Sequence, residues 1–315
     1  SMDEEGYFYF YDSSLGKSIL RDVYQKMAIP SVEILRREGF HQFYELIKKY
    51  PPAPPKVEID PKESVLSLQY TGGTTGPPKG VMVTHYNLNA GSVQNWAFMP
   101  GKEGEETELS YVPFTHIGGQ MNVIGGIVHG YTLVVLSTPR FDDILDLIPK
   151  YKVTSFWGAP GLFEMLKDDK KVGVINWKKI TRLISSADAL LEDTARDWEK
   201  RTGTRLQEGY GMTESASSAC MSPAHRIKIG SFGIPMPNTT VGIADPDKDE
   251  FLPQGEIGEV VLKGPQVMKG YWNKPEATKD VIFEVDGERW LRTGDLGSMD
   301  EEGYFYFYDS SLGKS

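Results

Sequence analysis

The chain predicts an α/β fold, with a parallel-sheet layer followed by a small β-barrel-like region, and two features of its pattern carry that expectation. Between residues 65 and 214, short apolar strand-like runs alternate with helix-length segments, the signature of parallel strands joined by crossover helices. After Pro235 the texture changes to short β-rich runs broken by Gly and Pro turns, which suits an antiparallel subdomain starting near residue 236. At 315 residues, with 39% hydrophobic and 25% charged content, the chain is ordinary for a globular protein and long enough for two cores.

Along the chain, residues 1–18 recur letter for letter as residues 298–315. A match at both ends is no solenoid repeat, which recurs between neighbours. It resembles a circle opened and overlapped, so residues 1–55 read as a rearranged N-terminal segment with a duplicated strand. Helical periodicity covers 31–49 (Val32, Leu35, Phe40, Phe43, Leu46, Ile47), and the Pro-rich run at 51–55 is a stiff linker. Strands are expected at 65–68, 131–136, 153–157 and 180–185. Helices are expected at 142–151, 161–166 and 191–201, the last capped near Gly203. Further strands are expected at 240–243, 257–262, 290–291 and 304–308. The predicted division is therefore 1–55, an α/β binding subdomain at 56–235, and a β-barrel-like subdomain at 236–315.

Net charge of −10 argues against general nucleic-acid or anionic-membrane binding. A single cysteine, Cys220, excludes an intrachain disulfide and fits a reducing compartment. No apolar run approaches the roughly 20 residues of a membrane span, and the first residues lack a signal-peptide pattern. The expected location is cytoplasmic. His41, His85, His129 and His225 show no metal-ligand spacing, which rejects a zinc site, and no G-x-S-x-G nucleophile elbow is present.

The most chemical segment is 70–80, Tyr-Thr-Gly-Gly-Thr-Thr-Gly-Pro-Pro-Lys-Gly. Its glycines let backbone N–H groups converge into an anion nest. Its threonines add donors, and Lys79 adds a mobile positive charge. That is equipment for a polyphosphate, in a frame other than a Walker A loop.

This segment resembles the phosphate-binding signature of the AMP-forming adenylating enzymes, the superfamily of acyl-CoA synthetases, luciferases and peptide-synthetase adenylation domains. Further elements follow in that superfamily's order. Residues 112–119 (VPFTHIGG) resemble P-x-F-H-x-x-G, with Thr115 as a departure. Residues 185–190 (SSADAL) resemble G-A-x-x-L, with Ser186 where glycine is usual. Tyr210-Gly211-Met212-Thr213-Glu214 matches Y-G-x-T-E, residues 255–259 match G-E-x-G-E, residues 269–273 carry the G-Y plus aromatic pattern, and Thr293-Gly294-Asp295 matches T-G-D.

The resemblance implies a truncated large domain of the acyl-adenylating fold and a two-step reaction. A carboxylate attacks the α-phosphorus of ATP to give an acyl-adenylate and pyrophosphate, and the thiol of coenzyme A then takes the acyl group. It assigns Thr71, Gly72, Gly73, Thr74, Thr75, Gly76 and Lys79 to the β- and γ-phosphates, Thr213 to the α-phosphate and Glu214 to Mg²⁺. Tyr210 and Gly211 would lie against adenine, with Ala187, Asp188 and Ala189 along its edge and Asp295 on the ribose hydroxyls. His116, Gly118, Gly119, Trp157 and Gly158 would border the acyl substrate. Trp96, Phe98, Phe114 and Trp157 suggest a fatty or aromatic acid. Against the family pattern, the phosphate loop lies early, the hinge arginine after Asp309 is replaced by Ser310, and the family's C-terminal lysine is missing. These departures predict nucleotide binding with impaired turnover. The alternatives are an ATP- or AMP-holding module without catalysis, and a strand-exchanged homodimer or oligomer in which the two copies of one strand compete for a single slot.

Overall fold

The computed structural model describes residues 48–50, 53, 56–71, 78–136 and 141–309. The chain divides into two units, 1–59 and 60–315, and every element below belongs to the second. The first copy of the repeat, nearly all of the predicted 31–49 helix, the prolines of the linker and residues 72–77 of the glycine-rich loop lie outside the described residues.

In order, the elements are β1 (Val65–Thr71), β2 (Lys79–Thr84), α1 (His85–Phe98), β3 (Thr107–Ser110), α2 (Ile117–His129), β4 (Thr132–Val135), α3 (Phe141–Lys150), β5 (Ser155–Gly158), α4 (Pro160–Leu166), β6 (Arg182–Ser186), α5 (Glu192–Thr202) and β7 (Gln207–Tyr210). There follow β8 (Cys220–Met221), β9 (Ser231–Pro235), β10 (Thr240–Ala244), β11 (Gly258–Lys263), β12 (Gly270–Tyr271), α6 (Pro275–Val281), β13 (Ile282–Val285), β14 (Glu288–Met299) and β15 (Phe305–Asp309).

The large sheet runs β10-β11-β14-β15-β9-β8-β7-β6-β5-β3-β4, with β13 on β14. Strands β4, β3, β5, β6 and β7 are parallel neighbours. From β7 onward the pairing is antiparallel through β8 and β9 into β15, β14, β11 and β10. Antiparallel pairing begins with β8 at Cys220, ahead of the change of texture that the sequence shows after Pro235. A smaller sheet, β1-β2-β12, carries the hairpin whose connection contains the glycine-rich loop.

The helices behind β5 and β6 hold the sheet by burying aromatics. Phe163 of α4 meets Trp198 of α5 edge-on at 5.1 Å, and Trp177 meets Trp198 at 4.6 Å. Trp177, Trp198, Phe156 and Phe163 are almost entirely withdrawn from solvent, each contributing on the order of 2–3 kcal/mol of burial. Helix α5 has Glu192 and Asp193 in its first turn, Lys200 and Arg201 in its last, and Gly203 at φ +69° as its C-terminal cap, so charge and cap both match the predicted span.

Two helices around the site were not expected. A reciprocal cap starts α1: Thr84 Oγ1 accepts from the Asn87 N–H at 3.1 Å, and Asn87 Oδ1 accepts from the Thr84 N–H at 3.0 Å. Helix α2 carries glycines at 118, 119, 125 and 126, which disfavour a helix locally. Its reason is packing. A Cβ on Gly119 would sit 2.2 Å from the Pro113 carbonyl oxygen, and one on Gly125 would sit 2.2 Å from the Tyr131 hydroxyl. Close approach to neighbouring chain, not propensity, explains those glycines.

Candidate functional site

The C-terminal ends of β6 and β7 open onto a cavity of about 270 Å³. Its wall includes Ala187, Asp188, Ala189, Tyr210, Gly211 and Asp295, so six residues assigned from three separate motifs converge. The Tyr210 hydroxyl donates to Asp295 Oδ2 at 2.5 Å, which bridges the β7 end to β14 across 85 positions of sequence. Phe232 packs on the Tyr210 ring at 4.5 Å. Burial pushes the Asp295 carboxyl above its usual range; the Tyr210 hydroxyl opposes this, and the nearby charge of Glu259 adds to it. Ala187 takes φ +81°, a left-handed conformation costly for a side-chain-bearing residue.

The T-G-D turn is held by a residue that the motif reading left without a role. Glu259, fully buried, accepts from the Gly294 N–H at 3.0 Å and pairs with Arg292 Nη1 at 2.6 Å. Thr293 Oγ1 donates to the Val260 carbonyl at 2.7 Å and accepts from the Asp295 N–H at 3.1 Å. The last glutamate of G-E-x-G-E therefore positions Asp295.

On the phosphate side, Thr71 and Lys79 face each other across the mouth of the β1–β2 hairpin. Gly72, Gly73, Thr74, Thr75 and Gly76 lie outside the described residues. Lys79 Nζ stands 4.8 Å from the Tyr271 ring centre, and the Tyr271 hydroxyl donates to Glu214 Oε1 at 2.7 Å. Thr213 and Glu214 open a short 3₁₀ turn after β7. Burial raises the Glu214 carboxyl; the Tyr271 hydrogen bond and the Lys79 charge pull it back. A buried carboxylate beside a lysine is a fitting oxygen donor for magnesium. Tyr271 was legible only as part of the G-Y pattern, because its contact with Glu214 requires β12 to pair with β2.

A second cavity, of about 80 Å³, lies between the sheet and α2 and shares Gly209 and Tyr210 with the first. Gly118 and Trp157 line it. The Trp157 indole N–H donates to Ser186 Oγ. His116 caps α2, its Nδ1 accepting from the Gly118 N–H at 3.1 Å, with its ring 6.4 Å from that of Trp157. Burial lowers its pKa, which favours the neutral ring that this acceptor geometry needs. Gly119 packs on Pro113, and a Cβ on Gly158 would meet the Phe163 ring at 2.8 Å. These two glycines set close packing beside the cavity rather than forming its wall. Glu208, Glu108 and Arg182, which the motifs do not include, also face these cavities. No helix among the described residues is long and apolar enough to cross a membrane.

The profile of the AMP-binding enzyme family matches residues 11–272. The chain is 39% identical over 302 residues to a long-chain-fatty-acid–CoA ligase of Bacillus subtilis (strain 168), spanning 93% of this chain and 52% of that protein. Among solved structures, a long-chain-fatty-acid-CoA ligase (FadD1) from Archaeoglobus fulgidus superposes with a TM-score of 0.75 at 27% identity, covering 84% of this chain and 55% of that one. ATP-bound MatB from Rhodopseudomonas palustris superposes with a TM-score of 0.73 at 31% identity, covering 81% and 50%. The chain spans about half the length of the curated relatives it matches. With the family profile covering most of its length, the chain belongs to the AMP-binding enzymes of the AMP-forming adenylating superfamily.

Proposed function

We propose that this chain is the nucleotide- and acyl-binding core of an AMP-forming acyl-CoA synthetase, acting on a carboxylic acid with ATP, Mg²⁺ and coenzyme A. The observation that carries the reading is the meeting of two cavities at Gly209 and Tyr210, one lined by Asp295 and the other by Trp157. The first has the groups an adenosine needs: the Tyr210 ring, the small residues at 187 and 189, and one carboxylate able to accept from two vicinal hydroxyls. Lys79, Thr71 and Thr213 offer positive charge and donors to the phosphates. Glu214 would hold Mg²⁺, which neutralises phosphate charge when bound. Gly118 and Trp157 line the space for the acyl group, so its carboxylate reaches the nucleotide beside Tyr210. Positioning and charge neutralisation are the whole of the protein's contribution to the first step. The division at residue 236 is part of the same proposal, with the nucleotide cavity drawing Asp295 from the C-terminal part. The lone buried cysteine and acidic charge fit a cytoplasmic setting.

Incubation with ATP, Mg²⁺ and a panel of acids, read by mass spectrometry, is expected to reveal an acyl-adenylate. Nucleotide binding without any adenylate would favour the non-catalytic module, and no binding of ATP at millimolar concentration would sink both readings. A separate proposal concerns the duplicated strand. Its second copy occupies the slot between β14 and β9 as β15, and the first copy is identical in sequence. We propose that exchange of this strand between chains links copies into dimers or longer assemblies. Light scattering after size exclusion is expected to show mass rising with protein concentration, and a monomer at all concentrations would refute it.

A further inference from the structure

The far end of the acyl cavity is charged. Strands β3, β5 and β6 are in register there: Glu108 pairs with Ser155, and Ser155 pairs with Arg182. In a parallel ladder these three side chains form one row on one face of the sheet, with strands about 4.8 Å apart. Further along the same faces come Trp157 on β5 and Ile184 and Ser186 on β6, and the row ends at the nucleotide cavity. Arg182 lies four residues from Ser186, roughly 13 Å deeper along the strand at ~3.3 Å per residue.

Arg182 is only 7% exposed, yet its Nε and Nη1 have no hydrogen-bond partner among the described residues. Its guanidinium stacks over Trp96 at 5.2 Å, and Trp96 in turn stacks on His129 at 4.3 Å. Trp96 thus supports the guanidinium from one side while those N–H groups stay unpaired. Glu108, 5% exposed, accepts from Ser155 Oγ at 3.2 Å and interacts electrostatically with Arg182. All three residues line the cavity. Leaving buried guanidinium donors unpaired is costly, and a plain alkyl chain offers them nothing. The cavity is also narrow, about 80 Å³ against about 270 Å³ for the nucleotide side.

Resting on the acyl-adenylating reading above, we infer that the acid this site selects carries an oxygen acceptor, a hydroxyl or second carboxyl group, at the end remote from the reacting carboxylate. Arg182 receives that oxygen and Glu108, held by Ser155, flanks it. Arg182 is thus a specificity-determining residue.

The test uses 5′-O-(N-acylsulfamoyl)adenosines, stable mimics of an acyl-adenylate, with plain, terminally hydroxylated and terminally carboxylated acyl groups of equal chain length. Affinities come from isothermal titration calorimetry on the full chain, with sulfamoyladenosine lacking an acyl group as the reference. Tighter binding of an oxygenated arm than of the plain arm, by about tenfold or more, supports the inference. The two oxygenated arms distinguish the hydroxyl from the carboxyl. Equal affinity across the arms, or tighter binding of the plain arm, overturns the inference while leaving the nucleotide site intact. Failure of every arm and of the reference to bind overturns the proposed function and this inference with it. Arg182→Met is expected to abolish the preference while keeping reference binding. Should that variant not fold, the three arms on the unsubstituted chain decide the question alone.

Discussion

Asp295→Asn is expected to weaken ATP and AMP binding by about a hundredfold, with no loss of thermal stability in the nucleotide-free protein. The asparagine carbonyl can still accept from the Tyr210 hydroxyl, now at 2.5 Å from Asp295 Oδ2, so the link between β7 and β14 survives. What is lost, on the proposed reading, is the carboxylate that would accept from two ribose hydroxyls. Hydrogen bonds to charged groups contribute about 1.5–3 kcal/mol each, and about 3 kcal/mol in all corresponds to the hundredfold change. Burial already disfavours the charged form of this side chain, so a neutral replacement does not destabilise the fold. Calorimetric titration with AMP and a thermal melt without ligand separate the two effects. Unchanged AMP affinity would remove Asp295 from the ribose site, and a collapsed melting temperature would make it structural instead.

The second large effect is on stability. Glu208 sits on the nucleotide cavity wall, buried, with its carboxyl pushed up to about 7 by burial and pulled back only partly by the N–H groups of Gly230 and Leu190. The unfolded chain ionises glutamate near its ordinary value of about 4.3. Between these values the native state holds more protons, so stability falls as pH rises through the interval and levels off above it. The full drop is about 3.5 kcal/mol. Glu208→Gln keeps an acceptor for the Gly230 N–H, 3.3 Å away in the unsubstituted protein, and removes the titration. Urea unfolding should give similar stabilities for the two proteins near pH 4. Near pH 8.5 the variant should be the more stable by about 3.5 kcal/mol. Comparing the two proteins cancels the other raised carboxyls, Glu108, Glu214 and Asp295. A stability gap that does not change with pH would show that Glu208 titrates normally.

Strand and helix identities between β4 and α5 were largely legible because their apolar periodicity and caps are local. Helix α5, for instance, ends at the glycine cap expected from the sequence. Helix α2 was not legible, because its glycines lower helix propensity and find their reason only against Pro113 and Tyr131. The motifs named Tyr210, Glu214 and Asp295 in advance, since each sits in a short pattern whose chemistry is intelligible alone. The residues that hold them were hidden. Tyr271 reaches Glu214 across 57 positions, and the Glu259 carboxylate reaches Gly294 across 35.

The sequence by itself determined the family and the order of the chemical groups, because turn chemistry, glycine-rich loops and strand periodicity act over a few residues. Only the tertiary structure decided which groups share a cavity and in what electrical state. Sheet register set Glu108, Ser155 and Arg182 in one row although they come from three separate strands. Burial then raised the carboxyls of Glu208, Glu214 and Asp295. Both are long-range effects, since contact across a sheet and withdrawal from water depend on the whole fold and leave no local mark in the sequence.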